Sequence, residues 1–276
     1  MIIEDKRIDS GKAFDWGRAA EDYAAYRDIY PDVFYQKIVN RGLCIKGQRV
    51  LDLGTGTGVL PRNMYRHGAE WTGIDISTEQ IRQARMLAKI ADMQINFQTA
   101  PAEQVEFPEE SFDVITACQC FWYFDHERLI PKLAKMLKKD GTLLILYMAW
   151  LPEEDQIAGM SEELVLKYSP NWSGAGEKRH PISIPEIAFD FFELKENEEY
   201  DLMVPFTKDS WHGRMRACRG VGASLSDEEL ARWDEEHRAL LDRIAPQRFE
   251  VKHYVAQAVL QKTRDNELGT QTETRT

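Results

Sequence analysis

Short apolar runs alternate with stretches of helical periodicity from residue 49 onward. The apolar runs, which predict buried strands, fall at 49–53, 71–76, 95–99, 112–118 and 142–148. Helical periodicity follows at 60–67, 77–91 and 129–139. Strands that are separated by helices predict right-handed crossovers, and strands that are apolar on both faces predict a sheet covered on both sides. The pattern therefore predicts an α/β fold built on a doubly wound parallel sheet.

Several residues mark the ends of these predicted helices. Ser77 and Gln80 have the spacing of a capping box at the start of the second helix. Two lysines in the last turn of the third helix and Gly141 just beyond it predict where that helix ends. Because Pro131 is unfavourable inside a helix, we expect the third helix to start near residue 130.

The pattern changes beyond residue 150. Acidic, aromatic and Pro/Gly segments fill residues 151–195, with one short helical signal at 161–168. Strands are predicted at 198–204 and 249–261, and helices near 208–218 and at 226–244. The tail, residues 264–276, contains almost no apolar residue, so we expect it to be disordered.

The length of 276 residues is near the upper limit for one hydrophobic core, so we expect a single domain over residues 1–263. Apolar residues at 43% and charged residues at 29% exclude collagen-like and wholly disordered chains. A net charge of −11 repels phosphate backbones and anionic lipids, so we expect neither a nucleic-acid partner nor a membrane partner. None of these features indicates an oligomeric state.

No segment marks the chain for secretion, membrane insertion or metal binding. The longest apolar run, residues 143–151, is shorter than the roughly 20 residues of a spanning helix, and the charged start lacks an apolar signal segment. Four cysteines are too few for a disulfide framework, and Cys118 and Cys120 have no second Cys/His pair at zinc spacing. We therefore expect a cytoplasmic protein without a metal.

A glycine-rich segment, GTGTG, directly follows the first predicted strand and its Asp52. Gly54, Gly56 and Gly58 permit a tight turn and a close approach of the backbone to a ligand. The helix that follows presents its amide end to that ligand, so a nucleotide-type ligand is predicted at this edge of the sheet. A dinucleotide fingerprint requires glycine or alanine where this chain has Val59, which disfavours a nicotinamide dinucleotide.

Asp75 ends the second predicted strand, 21 residues after Gly54. An ionised carboxylate accepts two donors, so it can hold both hydroxyls of a ribose. An NAD-binding protein has an acid at the same place, so Asp75 supports an adenosine ligand without choosing the cofactor. The alternative is that Asp75 caps the next helix, although that role falls more naturally to Ser77.

The order of motifs over residues 49–150 resembles the class I S-adenosylmethionine-dependent methyltransferases, in particular their small-molecule subgroup often labelled type 11. The resemblance rests on the form D-x-G-x-G-x-G, on Asp75, and on the stretch APAEQVEFP followed by SFDVI. It implies a mostly parallel, seven-stranded Rossmann-like sheet with an antiparallel last strand and an inserted helical cap, built from residues 151–195 and 205–245. It also implies S-adenosyl-L-methionine as cofactor and a small-molecule acceptor, methylated by direct in-line displacement.

The resemblance also implies a set of cofactor-binding residues. These are Tyr23, Arg27, Asp52, Gly54, Thr55, Gly56, Gly58, Asp75, Ile76, Ala102, Glu103 and Cys118. The Ala102 amide would meet the edge of the adenine ring. The usual acid of the family aligns with Pro101, so the contact to the adenine amino group passes to Glu103 or Gln104, or is absent.

Residues 1–30 are similar to the leading helices of the same subgroup, so we expect a lid over the cofactor. Tyr23 and Arg27 lie four residues apart, hence on one helical face, and Arg27 is a candidate partner for the cofactor carboxylate. The alternative for Arg27 is a solvated position on an ordinary amphipathic helix.

The candidate acceptor-binding residues are Trp122, Trp211, Arg214 and Arg219, and His212 is the candidate general base. Trp122 follows the fourth predicted strand, where an aromatic face attracts a sulfonium cation. The segment 207–219 carries four basic side chains in an acidic protein, so we expect its arginines to hold an acceptor carboxylate. The alternative is a solvated basic face that balances the acidic segment 226–236.

Three other functions stay open at this point. A non-catalytic adenosyl-ligand-binding protein would keep the glycine motif and transfer nothing. A nicotinamide-dependent oxidoreductase is disfavoured by the motif spacing. A nucleic-acid methyltransferase is opposed by the net charge and by CQCF standing where such enzymes have an N/D-P-P-Y/F segment.

Overall fold

The computed structural model describes residues 2–263, so the predicted disordered tail at 264–276 lies outside the described residues. The helices are α1 (Ala20–Tyr26), α2 (Asp32–Asn40), α3 (Val59–Met64), α4 (Thr78–Ile90), α5 (His126–Met136), α6 (Gln156–Tyr168), α7 (Lys208–Arg216) and α8 (Asp227–Ile244). The strands are β1 (Arg49–Leu53), β2 (Glu70–Asp75), β3 (Asn96–Thr99), β4 (Phe112–Cys118), β5 (Leu137–Trp150), β6 (Phe192–Thr207) and β7 (Arg248–Lys262).

These strands form one seven-stranded sheet in the order β3-β2-β1-β4-β5-β7-β6. The pairs among β1 to β5 are parallel, and β7 is antiparallel to both β5 and β6. This arrangement confirms the predicted doubly wound sheet and the antiparallel last strand. Alternate residues of the central strands enter separate apolar cores on the two faces, as Val50 and Leu51 do.

Helix α5 begins and ends earlier than predicted. Asp125 caps its start by accepting a hydrogen bond from the backbone nitrogen of Arg128, and Pro131 lies inside the helix. Proline removes only one backbone hydrogen bond there, while the helix still buries its apolar face, including Leu133. The prediction that Gly141 follows the end of this helix is therefore wrong, because Gly141 lies in β5.

The start of α4 follows the prediction only in part. The Ser77 hydroxyl caps the helix by accepting a hydrogen bond from the backbone nitrogen of Gln80 at 3.4 Å, which confirms Ser77 as the N-cap. The reciprocal half of the capping box is not formed, because the Gln80 side-chain amide donates to the carbonyl oxygen of Trp16. This contact joins the N-terminal segment to the sheet domain.

The segments beyond residue 150 supply the inserted helices. Helix α7 packs against α1, α8 and β6, and α6 packs against α8. None of the helices in residues 2–263 combines the length and the apolar character that crossing a bilayer requires.

A buried carboxyl group lies beneath the turn that follows β1. Asp52 is 2% exposed and accepts hydrogen bonds of 2.6 Å from the hydroxyls of Thr55 and Thr116. These bonds join the turn to the neighbouring strand β4. Burial raises the pKa of Asp52 to about 7, because a charged carboxylate is costly where water is excluded.

We predict that Asp52→Asn changes how stability depends on pH. An Asp carboxyl has a pKa of about 4 in the unfolded chain, so the folded wild type binds the extra proton between pH 4 and 7. The contribution of Asp52 to the free energy of unfolding of the wild type is therefore fully present below pH 4. It decreases by up to about 4 kcal/mol as the pH rises to 7.

Urea unfolding of both proteins across this range measures the difference. The free energy of unfolding of Asp52→Asn minus that of the wild type should rise from pH 4 to 7 and then stay level. A difference that does not vary with pH contradicts the raised pKa.

Candidate cofactor and acceptor site

Three adjoining cavities open at the carboxyl ends of the central parallel strands. The glycine-loop cavity, of about 270 Å³, is lined by Gly54, Gly56 and Asp75 among others. The large cavity, of about 660 Å³, lies beneath the inserted segments, and a small cavity of about 30 Å³ lies next to both. Tyr23 and Gln119 line all three, so these two residues mark the junction between them.

The three glycines of the motif serve different purposes, although all have left-handed φ angles. A Cβ atom on Gly54 would lie 2.8 Å from the Cβ of Cys120, and one on Gly58 would lie 2.7 Å from the ring of Phe97. Those two glycines therefore allow close packing within the protein, and Gly58 lines none of the three cavities. Gly56 lines the glycine-loop cavity, and a Cβ atom placed on it would only come into ordinary contact with the Tyr23 ring, at 3.5 Å.

Asp75 connects the glycine-rich turn to the next helix. One of its carboxylate oxygens accepts the backbone N–H of Gly56 at 2.9 Å, and the other accepts that of Ser77 at 2.8 Å. Each oxygen retains a lone pair, and the residue lines the glycine-loop cavity. Burial raises the pKa of Asp75, and the two backbone N–H donors oppose that rise. The geometry leaves room for two further donors, as the ribose prediction requires.

The turn after β3 forms another wall of the glycine-loop cavity. Pro101, Ala102 and Glu103 line it, as do Ile76 and Cys118, whereas Gln104 does not. The Glu103 carboxylate accepts the backbone N–H of Asp125 at 2.9 Å, so one of its oxygens is already engaged. Because Gln104 does not line this cavity, it is not placed to meet an adenine amino group there.

Asp5 also lines the glycine-loop cavity, and the sequence analysis did not identify it. Its carboxylate forms an ion pair of 2.6 Å with Arg7 and accepts the Arg7 backbone N–H. The charged segment at the start of the chain carries no motif that would have singled Asp5 out.

Tyr23 and Arg27 lie together on one face, as their spacing predicts. The Arg27 guanidinium carbon is 4.7 Å from the centre of the Tyr23 ring. Arg27 lines both the large and the small cavity, and no carboxylate of the described chain forms an ion pair with it. A solvated position, the alternative for Arg27, does not fit this placement.

Gln119 is the second residue that sequence reasoning missed. It has a left-handed backbone with φ of 67°, which is unusual for a residue with a side chain. Its side-chain amide donates to the carbonyl oxygen of Met148 at 2.5 Å, and its backbone N–H donates to that of Leu146. These bonds hold Gln119 at the junction of the cavities, and no sequence pattern marks such a backbone conformation in a glutamine.

Aromatic side chains make up much of the large cavity. Trp122 is 43% exposed and meets the ring of Tyr147 edge-on, with the ring centres 4.7 Å apart. Tyr123 lines both the large and the glycine-loop cavity, so it lies nearer the junction than Trp122. Glu177 lies at the wall and accepts hydrogen bonds from the hydroxyls of Tyr147 and Tyr254. Burial and the Glu177 charge raise the pKa of Tyr147.

The structure corrects two predictions on α7. Trp211 is fully buried, donates to the Ser161 hydroxyl at 2.9 Å and lines none of the cavities, so it does not contact an acceptor there. His212 is likewise buried, with its ring stacked on Trp233 and its Nδ1 atom 2.9 Å from Nδ1 of His237. The prediction of His212 as general base is wrong, because this face of α7 packs on α8.

Arg219 is also engaged elsewhere. Its guanidinium donates to both carboxylate oxygens of Asp9, at 2.7 and 2.9 Å, and to the hydroxyls of Tyr123 and Ser173. Arg219 lines the large cavity, but its charge is paired with that of Asp9, so its contact with an acceptor carboxylate stays a prediction that the ion pair disfavours. Arg216 fits the alternative interpretation, a basic face that balances the acidic segment 226–236, since it pairs with Asp234 of α8.

Arg214 differs from these neighbours. It is 4% exposed, lines the large cavity and lies over the ring of Trp150 at 4.8 Å. Its Nη1 donates to the sulfur of Cys218, and its Nε has no hydrogen-bond partner. Burial and the nearby Arg27 charge lower the pKa of Arg214. Within residues 2–263 no group of three or more His, Cys, Asp or Glu side chains forms a metal-binding cluster.

Comparison with known proteins finds a matching family and several relatives. Residues 51–145 match the family described as "Methyltransferase domain". A ubiquinone biosynthesis O-methyltransferase of Coxiella burnetii is 30% identical over 151 residues, which are 52% of this chain and 64% of that protein. The corresponding protein of Hahella chejuensis is 27% identical over 178 residues, 64% of this chain and 73% of that protein. The chain thus spans less than two thirds of the length of the first of these curated relatives and about three quarters of the second.

The fold has a structural counterpart as well. A crystal structure from Galdieria sulphuraria, provisionally assigned as a sarcosine dimethylglycine methyltransferase, superposes with a TM-score of 0.51. Its sequence is 16% identical, and the match covers 84% of each chain, so this likeness concerns the fold alone. The matched domain, the strand order and the glycine motif together support the resemblance of residues 51–145 to the class I S-adenosylmethionine-dependent methyltransferases.

Proposed function

We propose that the protein transfers a methyl group from S-adenosyl-L-methionine to a small-molecule acceptor bound in the large cavity. The observation that carries this proposal is the junction at Tyr23 and Gln119, where a cavity suited to a nucleoside meets a larger one. A protein that only bound the adenosyl ligand would have no use for a second cavity of about 660 Å³ at this place.

The residues around the glycine-loop cavity fit the cofactor. Gly56 leaves space for a ligand, and Asp75 keeps an acceptor position on each oxygen for a ribose hydroxyl. Ala102 lies at the wall where the adenine edge is expected. Arg27, which has no carboxylate partner within residues 2–263, borders the small cavity and suits the carboxylate of the methionine moiety.

Bound S-adenosylmethionine supplies a sulfonium methyl group, and an acceptor nucleophile would bond to the methyl carbon in line with the departing sulfur, which keeps the electron pair of the broken carbon–sulfur bond. The protein contributes position and the exclusion of water. Tyr23 presents an aromatic ring at the junction, where it stabilises positive charge. Gln119 holds the wall between the cavities through its bond to Met148.

Asp75→Asn should weaken binding of S-adenosylmethionine and of S-adenosylhomocysteine by about 1.5–3 kcal/mol, because charge-assisted hydrogen bonds to the ribose are lost. Isothermal titration calorimetry measures both affinities. Asp113→Asn is the matched control, since Asp113 also accepts a backbone N–H, that of Arg49, but lines none of the cavities. Equal affinities in the wild type and Asp75→Asn contradict the ribose assignment.

Methyl transfer itself is tested in a single-turnover reaction with S-adenosylmethionine that carries a labelled methyl group and a panel of metabolites. The proposal expects label in an acceptor product together with an equal amount of S-adenosylhomocysteine. Label that stays on the cofactor while calorimetry shows tight binding supports a non-catalytic binding protein instead.

The segment 2–30 is proposed to close over the bound cofactor as a lid. Its side chains at Ile3, Asp5, Phe14 and Trp16 line the glycine-loop cavity. Hydrogen exchange of this segment should slow when S-adenosylhomocysteine is added, because closure excludes water, while exchange in α8 should stay the same. Equal exchange in the segment with and without ligand contradicts the lid.

A further inference from the structure

Arg214 is a buried cation in the large cavity without a counter-charge in the described chain. At 4% exposure its guanidinium has lost most contact with water. Its protein contacts are the face of Trp150 and the sulfur of Cys218, and a thiol is a weak acceptor. A buried charge without a partner is strongly unfavourable, so the site is incomplete as the chain alone forms it.

Of the four arginines that line the large cavity, Arg214 and Arg27 are the two that have no carboxylate partner within residues 2–263. Arg7 is paired with Asp5, and Arg219 is paired with Asp9. The acid at the wall, Glu177, accepts hydrogen bonds from two tyrosine hydroxyls and forms no ion pair with either free arginine. The cavity is therefore locally cationic in a chain whose net charge is −11.

Arg27 and Arg214 occupy different positions. Arg27 borders the small cavity beside the glycine loop, where the cofactor carboxylate is proposed to lie. Arg214 lines only the large cavity. Arg27 at the small cavity and Arg214 at the large cavity therefore indicate two anionic groups, one on the cofactor and one on the acceptor.

We propose that the acceptor is a carboxylic acid whose carboxylate binds Arg214, with a planar body packed among the aromatic side chains of the large cavity. The buried, unpaired guanidinium supplies the hydrogen-bond donors, since its fork matches a carboxylate in geometry and charge. Trp150 lies against one face of the guanidinium, and Arg214 lines the large cavity. Trp122, Tyr147 and Trp172 provide the aromatic walls.

This inference rests on the proposed function, which makes the large cavity the acceptor site, and it adds the class of acceptor. It also assigns Arg214 as a specificity-determining residue. Because the bound carboxylate completes the ion pair, an acceptor with a neutral amide in its place leaves the guanidinium unpaired and binds more weakly.

The test uses the full chain saturated with S-adenosylhomocysteine, with 4-hydroxybenzoate, 4-hydroxybenzamide and phenyl phosphate as probes in calorimetry. We expect wild-type protein to bind the benzoate at least tenfold more tightly than the amide. Arg214→Gln should lose at least tenfold in benzoate affinity and keep its affinity for S-adenosylhomocysteine within twofold. Arg214→Lys should retain part of the benzoate affinity, since it keeps the charge and loses the fork.

Arg216→Gln is the matched control, because Arg216 lies on the same helix, pairs with Asp22 and Asp234, and lines none of the cavities. It should bind the probes as the wild type does. A thermal scan without ligand separates a binding role from a structural one. Removal of an unpaired buried charge should leave the melting temperature of Arg214→Gln unchanged or raise it by a few degrees.

Several results overturn the proposal. These are equal binding of acid and amide, no binding of the benzoate by a wild type that binds S-adenosylhomocysteine, and unchanged benzoate binding by Arg214→Gln. Tighter binding of phenyl phosphate than of the benzoate assigns the site to a phosphate ester instead. A loss of S-adenosylhomocysteine affinity in Arg214→Gln assigns Arg214 to the cofactor. Failure of the wild type to bind S-adenosylhomocysteine contradicts the proposed function itself.

Discussion

The carboxylate of Asp75 is the point on which the site depends. Its two oxygens accept the backbone N–H groups of Gly56 and Ser77, so one side chain fixes both the glycine-rich turn after β1 and the start of α4. A second buried acid, Asp52, supports the same turn from beneath through two hydroxyl groups. With the turn held on both sides, Gly56 lines the glycine-loop cavity at the edge of the sheet.

Ion pairs across the inserted segments then set the chemistry of the large cavity. Asp9 forms an ion pair with Arg219, which lies 210 residues further along the chain. This pair connects the N-terminal segment to the region after α7. Arg216 is held by Asp22 of α1 and Asp234 of α8. These pairs satisfy the neighbouring arginines and leave Arg214 as a buried guanidinium at the large cavity without an ion pair in the described residues, which is the basis for the proposed anion site.

The sheet and the cofactor edge were predictable because their signals are local. Apolar runs locate the strands, and glycine spacing followed by an acid at Asp75 locates the edge at which the glycine-loop cavity opens. The acceptor site was predictable only in part. Helical spacing shows which residues share a face of α7, but it does not show that the face with Trp211 and His212 packs inward. The partner of Arg219 and the left-handed backbone of Gln119 depend on contacts far apart in the sequence.

The proposed reaction requires that two ligands meet at the junction of Tyr23 and Gln119. A crystal structure of the S-adenosylhomocysteine complex tests it most directly. The account predicts the ribose hydroxyls on the Asp75 carboxylate, and the sulfur atom at the junction, facing the large cavity beside Gln119. A sulfur atom that is shut off from the large cavity, or a ligand bound away from Asp75, would contradict the account.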